Sequence, residues 1–68
     1  MARRAGIQRV EKALDRVGAR ETELHEAMAA SATDHARLRA LQAELAAQTA
    51  ERERLEAAWL QIAELLEA

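Results

Sequence analysis

Residues 24–45 read LHEAMAASATDHARLRALQAEL, and this segment contains a break between two heptad series. Leu24 and Met28 end the first series, and Leu38 and Leu41 begin the second. Carried forward, the spacing of the first series falls out of phase with the second. A change of phase in the apolar pattern predicts that one helix ends here and another begins.

The residues between the two series are suited to a turn. Ser31 or Thr33 can accept a hydrogen bond from free backbone N–H groups and cap a new helix. Asp34 would then lie in the first turn, where its charge complements the helix dipole. Because the segment lacks Gly and Pro, one continuous helix is the alternative, but its apolar stripe would need a second chain. The predicted elements are helix 1 at about 3–30, a turn at about 31–33 and helix 2 at about 34–67.

Apolar residues fill most a and d positions on both sides of the break. The first series is Ile7, Val10, Leu14, Val17, Glu21, Leu24 and Met28, and the second is Leu38, Leu41, Leu45, Gln48, Arg52, Leu55, Trp59, Ile62 and Leu66. A sustained 3.5-residue repeat keeps one stripe facing one partner. We call this line of a and d positions the seam. The pattern predicts an all-α fold, an antiparallel two-helix coiled-coil hairpin.

Composition supports a single small helical domain. The chain has 68 residues, is half hydrophobic, and contains no Pro, Tyr, Phe or Cys. Much of its apolar content is Ala, a strong helix former that supplies too little bulk for a compact globule. The absence of Cys excludes disulfides and thiolate metal sites and is typical of cytoplasmic proteins. No stretch approaches the roughly 18 apolar residues of a membrane span, so no membrane contact is expected.

The register of the hairpin has two alternatives. In an antiparallel pair, facing residue numbers add to one constant, the facing sum, which changes in steps of seven. A sum of 62 pairs Leu24 with Leu38, and a sum of 69 pairs Glu21 with Gln48. We favour 62, because helix 2 is expected to begin near Thr33.

The end of helix 2 is broader than a seam requires. A facing sum of 62 places Arg3 opposite Trp59, where a cation–π contact can form. It leaves Ile62, Leu65 and Leu66 without partners inside the chain. Extra apolar surface usually indicates a further contact, such as a homodimer or a parent domain. The candidate oligomer or docking surface is Trp59, Leu60, Ile62, Leu65 and Leu66.

Several residues interrupt the regular pattern. Glu21, Gln48 and Arg52 occupy seam positions, either as long side chains that extend into solvent or as a polar layer that fixes register. Gly18 weakens helix 1 and marks a bend, a close approach of the helices, or no specific feature.

Nothing in the sequence predicts catalysis. His25 and His35 have no third ligand at a fixed spacing, and we expect both to be exposed. No Gly-rich phosphate loop occurs, and a two-helix hairpin has no concavity to shift the pKa of a carboxylate. We therefore expect no enzyme activity, no catalytic residue, no cofactor and no metal in this chain.

Charge is divided unevenly along the chain. Residues 1–20 contain six cations against two carboxylates, whereas residues 21–68 contain four cations against ten carboxylates. Cations recur at 3- and 4-residue steps along helix 1. Such a basic stripe is typical of surfaces that bind nucleic-acid phosphates irrespective of base sequence. The alternative is a solvated face in which Arg16 and Arg20 pair with nearby carboxylates. The candidate nucleic-acid-binding residues are Arg3, Arg4, Arg9, Lys12, Arg16 and Arg20.

The order of several short motifs is also informative. They are RVEK at 9–12, ELHEAMA at 23–29, ATD at 32–34 and LEAAWL at 55–60. In this order they resemble the C-terminal coiled-coil domain of ABC-F ATPases, most closely the actinobacterial branch, over nearly the whole chain. The chain departs from that pattern at Gly6 and Gly18 and at the uncharged Ala36, Ala57 and Ala58.

The resemblance implies a function that periodicity does not. ABC-F proteins carry two ATP-binding cassettes, are often described as ABC transporter ATP-binding proteins, and act on ribosomes in translation. In Uup-like members this tail is a helical hairpin implicated in DNA binding. The resemblance thus implies DNA, ribosomal RNA or the ribosome as partner, with ATP and Mg bound only by a longer parent. The alternative is a structural hairpin for dimerisation or for docking on parent ATPase domains.

Overall fold

The chain forms two long helices that lie side by side and run in opposite directions. The computed structural model describes the backbone of residues 2–67 and the side chains of residues 4–67. Helix α1 spans Ala2–Ala30 and helix α2 spans His35–Glu67. They pack against each other in a body of 51 × 14 × 13 Å. The predicted all-α helical hairpin is confirmed, and the alternative of one continuous helix is wrong.

The turn between the helices is closed by backbone hydrogen bonds. The Ser31 N–H donates to the Met28 carbonyl at 3.1 Å, and the Asp34 N–H donates to the Ser31 carbonyl at 2.9 Å. No described residue other than glycine has a positive φ, and no glycine in the described part has one either. The turn therefore needs neither Gly nor Pro, because every residue in it adopts an ordinary backbone conformation.

Asp34 caps the N-terminus of α2. Its Oδ1 atom accepts a hydrogen bond from the Arg37 N–H at 3.1 Å, the geometry of an N-cap residue bonded to the third residue of its helix. The expectation that Ser31 or Thr33 caps α2 is therefore wrong. The Ser31 hydroxyl instead accepts a hydrogen bond from Arg37 Nε at 3.1 Å, and Ser31 itself is buried between the helix ends.

The core is a narrow line rather than a globular interior. Val17, Leu24 and Leu41 are the buried apolar residues of the described part, and Leu24 is 1% exposed. Most other apolar seam residues are half-buried, namely Ile7, Val10, Leu14, Met28, Leu38, Leu45, Leu55, Trp59 and Ile62. Each contributes a fraction of the roughly 1.5–3 kcal/mol that full burial of a large apolar side chain supplies. The buried apolar surface therefore comes from many half-buried residues along a long seam and not from a few deeply buried ones.

Two contacts establish the register. A Cβ atom built on Gly6 would lie 3.8 Å from Ile62 Cδ1, and Thr49 Oγ1 donates to Glu21 Oε2 at 3.1 Å. These residue numbers add to 68 and 70, so the facing sum is 69. The favoured sum of 62 is wrong, because it would separate each pair by more than about 9 Å along the helices.

The register changes the environment of the α2 C-terminal end. Ile62 packs against α1 and is half-buried, so the expectation that it lacks a partner inside the chain is wrong. A sum of 69 places Val10, not Arg3, opposite Trp59. The Arg3 side chain lies outside the described residues, and so does the cation–π contact expected for it.

A polar cluster crosses the seam in the middle of the hairpin. The Glu21 side chain is 13% exposed and accepts hydrogen bonds from Thr49 Oγ1 at 3.1 Å and from Arg52 Nη1 at 3.5 Å. Glu21 therefore does not extend into solvent but is held between the helices. A Cβ atom on Gly18 would meet no atom within 4 Å, so the helices make no close approach there.

Candidate functional site

Three cations share one exposed face of α1. Arg9, Lys12 and Arg16 are exposed, and at 100° per residue they lie within an arc of about 60° and a length of about 10 Å. Within residues 4–67, no carboxylate oxygen lies within 4.0 Å of any of the three. We call these three residues the basic face. Its charge is open to an external anion.

Arg20 continues the stripe in sequence but is occupied by carboxylates. It is half-buried and donates from Nε to Glu44 Oε1 at 3.1 Å and from Nη1 to Glu23 Oε2 at 3.1 Å. The pKa of the Arg20 guanidinium is raised, chiefly by the hydrogen bond to Glu44 and then by that to Glu23. Arg20 therefore joins α1 to α2, as the alternative interpretation expected, whereas Arg16 has no such partner.

The two remaining candidate cations are Arg4 and Arg3, and only the side chain of Arg4 is described. Arg4 is exposed but is rotated by about 140° around α1 from Arg9, which places it on another side of the helix. The side chain of Arg3 lies outside the described residues. Of the candidate residues whose side chains are described, Arg9, Lys12 and Arg16 are unpaired on one face, Arg20 lies on that face but is paired, and Arg4 lies elsewhere.

Like charges recur at four-residue spacing on α1. Lys12 and Arg16 are four residues apart, as are Arg16 and Arg20, and so, on an adjacent strip of the helix surface, are Glu11 and Asp15. Like charges at this spacing destabilise a helix by about 0.2–0.5 kcal/mol per pair. Helix stability alone would favour alternating signs. The two acidic residues were not singled out from the sequence, although their i, i+4 spacing was visible there.

A groove opens between α1 and α2 beside Glu11 and Asp15. Its apolar lining consists of Leu14, Trp59 and Leu60, and its volume is about 470 Å³. Leu60 is 56% exposed, and Trp59 and Leu14 are half-buried. Three carboxylates complete the lining, those of Glu11, Asp15 and Glu56. We call this feature the Trp59 groove.

The candidate docking residues do not form one surface. Trp59 and Leu60 line the groove, whereas Ile62 faces α1. Leu65 is 51% exposed and lies with Gln61 and Glu64 along a separate shallow depression. Leu66, at the end of the seam, is 42% exposed.

Metal-binding groups and bilayer-crossing helices are absent from the part of the chain that the structure describes. No group of three His, Asp or Glu residues within it could hold a metal ion. His25 and His35 are both exposed. Neither of the two helices, as far as they are described, combines the length and the apolar character that a bilayer crossing requires.

Comparison with known proteins gives no relative. No family model matches the chain, and no curated protein or solved structure does either. The resemblance to the ABC-F coiled-coil domain therefore stays a prediction based on the order of its motifs.

Proposed function

We propose that the hairpin is a non-catalytic binding module that contacts a nucleic-acid backbone through the basic face of α1. The observation that supports this is the exposure of Arg9, Lys12 and Arg16 without a carboxylate partner among residues 4–67. Cations that are already paired gain little from a phosphate, whereas free cations release counterions from the nucleic acid when they bind. The repulsion between Lys12 and Arg16 is relieved by the same contact.

The geometry favours backbone contacts to a duplex. One strand of B-DNA carries a charge about every 3.4 Å along the axis, so three cations over about 10 Å match about three phosphates. Stacking of single-stranded bases requires exposed aromatic residues, but the only aromatic residue is Trp59, which lies in the groove. We therefore expect binding that is weak, independent of sequence and strongly dependent on salt.

The resemblance to ABC-F proteins supplies the proposed biological context. In that context the hairpin is the C-terminal appendage of a cytoplasmic ATP-binding protein, and its nucleic acid is DNA or ribosomal RNA. ATP and Mg would be bound by the parent and not by this chain. Coding sequence for two ATP-binding cassettes upstream of Met1 would support this context, and its absence would remove it without affecting the basic face.

The test is fluorescence anisotropy with labelled DNA and RNA duplexes of equal length over a range of salt concentrations. For three phosphate contacts, log K should fall with log [salt] with a slope of about −3. Replacement of Arg9, Lys12 and Arg16 by Gln should abolish binding. A control that replaces Arg37, Arg39 and Arg54 of α2 by Gln removes the same charge and should retain it. Circular dichroism establishes that both variants remain helical.

Two results would contradict the proposal. One is the absence of salt-dependent binding, and the other is an equal loss of affinity in the basic-face variant and the α2 control. The alternative function is structural dimerisation or docking on parent domains without nucleic-acid binding. It would be supported by a mass in sedimentation that rises with concentration and by loss of that rise in Leu66→Glu.

A further inference from the structure

The Trp59 groove has a composition that the hairpin itself does not require. Leu60 lies one position outside the seam, where a coiled coil normally has a polar residue. It is nevertheless 56% exposed beside the half-buried Trp59. A large exposed aliphatic side chain next to a tryptophan resembles the centre of a protein interface, where aromatic anchors contribute most of the binding energy.

The charges around the groove are of one sign and mostly uncompensated. Glu11 and Asp15 form no ion pair with any residue in the range 4–67. Glu56 has one distant cation, Arg52 Nε at 3.8 Å. Glu11 and Asp15 also repel each other at i, i+4 along α1. An occupant that carries positive charge would therefore offset repulsion that the chain leaves in place.

We propose that the Trp59 groove receives a basic amphipathic helix from another protein. Apolar side chains spaced at i, i+4 and i+7 on that helix pack on Leu14, Trp59 and Leu60. Lys or Arg side chains on its flanks pair with the carboxylates on both sides. This is the helix-in-groove mode of recognition, with charge complementarity to select the partner.

A second copy of this chain is a poorer occupant. Two grooves packed face to face would bring two sets of three carboxylates together without a cation to separate them. The basic face of a second copy has the right charge, but its neighbour Ala13 is too small to fill the groove. The observations therefore favour a foreign helix. This inference does not rest on the nucleic-acid proposal, since the two use different residues of α1.

The experiment uses the full chain and a blocked synthetic peptide of about 15 residues, near the minimum for an isolated helix. The peptide has Leu at i, i+4 and i+7, Lys at the positions that flank them, Ala elsewhere, and no aromatic residue. Trp59, the only aromatic residue of the chain, then reports directly on the groove. We expect its emission to shift to the blue on titration and to saturate. The same peptide with Glu in place of Lys should leave the emission unchanged.

Two variants and their controls locate the site. Leu60→Ala should weaken binding about fivefold, as one interface truncation does, without loss of fold because the side chain is largely exposed. Its control, Leu66→Ala, should bind like the unmodified chain. Glu11→Gln combined with Asp15→Asn should weaken binding about fivefold at low salt and reduce its salt dependence. The charge-matched control is Glu64→Gln with Glu67→Gln, which should bind normally.

Several results would overturn the inference. They are the absence of a saturable shift, equal binding of the Glu peptide, or undiminished binding by Leu60→Ala. Sedimentation provides a further test of the inference. A dimer that Leu60→Ala dissociates would show that a second copy, not a foreign helix, occupies the groove. None of these results would alter the salt-dependence experiment on the basic face.

Discussion

Glu21 is the residue whose role depends most on the partner helix. It occupies an a position, where a charge normally costs stability, yet its side chain is only 13% exposed. Thr49 and Arg52 of α2 supply its hydrogen bonds. A polar residue held in this way favours the one register that satisfies it, since any shift of seven residues leaves the carboxylate without these partners.

Glu21→Ala should therefore lower the free energy of unfolding by about 1.5–3 kcal/mol, the range for a hydrogen bond to a charged group. The control is Glu26→Ala on the same helix, because the Glu26 side chain is exposed and makes no hydrogen bond or ion pair with residues 4–67. Urea denaturation followed by far-UV circular dichroism measures both. Equal midpoints for the two variants would show that the polar cluster contributes nothing.

The presence of polar residues in the seam could be predicted from spacing, but their partners could not. Glu21 stood out because the positions around it in the heptad series are apolar. Its bond to Thr49 was not predicted, because Thr49 lies outside the a and d positions and becomes a neighbour only in one register. The same holds for Arg20, whose contact with Glu44 joins positions flanking the seam on both helices.

Among the helical elements, the start of α2 offers a direct test of the corrected cap. Asp34→Ala removes the acceptor for the Arg37 N–H and should cost about 1 kcal/mol, within the 0.5–2 kcal/mol of other N-caps. Thr33→Ala, one residue earlier, should change stability little, since Thr33 is exposed. Thermal unfolding of the two variants decides between the residues. A larger loss for Thr33→Ala would reinstate the cap expected from the sequence.

Substitution of Gly18 in α1 should stabilise the hairpin, in contrast to substitution of Asp34. An added Cβ would meet open space, and Ala is favoured over Gly in a helix by about 0.8–1.0 kcal/mol. Gly18→Ala should therefore stabilise the hairpin by about that amount. The exposed neighbour provides the reciprocal control, because Ala19→Gly should destabilise by a similar amount. A neutral or destabilising Gly18→Ala would reveal a constraint on this glycine that packing does not explain.

The extent of both helices followed well from sequence, whereas the detail of the junction did not. The heptad series and their change of phase predicted both helices to within one residue of the bounds at the turn, Ala30 and His35. The identity of the cap was not predictable from residue type, because Ser, Thr and Asp all cap helices. Only the position of the first free N–H groups distinguishes them, and that depends on the path of the turn.

At the scale of the whole molecule, the register follows from the pairing of apolar residues along the seam. The position of the turn is a poorer guide to it. Under a facing sum of 69, five facing pairs are apolar on both sides, namely Ile7–Ile62, Val10–Trp59, Leu14–Leu55, Leu24–Leu45 and Met28–Leu41. Under 62 only three are, namely Ile7–Leu55, Val17–Leu45 and Leu24–Leu38. Each further pair removes apolar surface from water at about 25 cal/mol per Å². This difference in the number of apolar pairs can be read from the sequence, whereas the expected start of helix 2 near Thr33 favoured a sum of 62.

Engineered disulfides can test the register in solution, because the chain contains no cysteine of its own. Leu14→Cys with Leu55→Cys joins residues that face each other at a sum of 69. Leu14→Cys with Gln48→Cys joins those that face at 62. The second position on α2 is displaced by seven residues, about 10 Å, whereas a disulfide needs Cα atoms within about 7 Å.

Under mild oxidation at low protein concentration, the 14–55 variant should close an intramolecular disulfide. The 14–48 variant should retain free thiols or form only linked pairs of chains. Mass spectrometry with thiol labelling distinguishes these products, and the single variant Leu14→Cys controls for intermolecular oxidation. Closure of the 14–48 variant at an equal or faster rate would restore the sum of 62. It would then separate Leu14 from Trp59 by about 16 Å along the hairpin, so the groove and its proposed helical partner would be lost together.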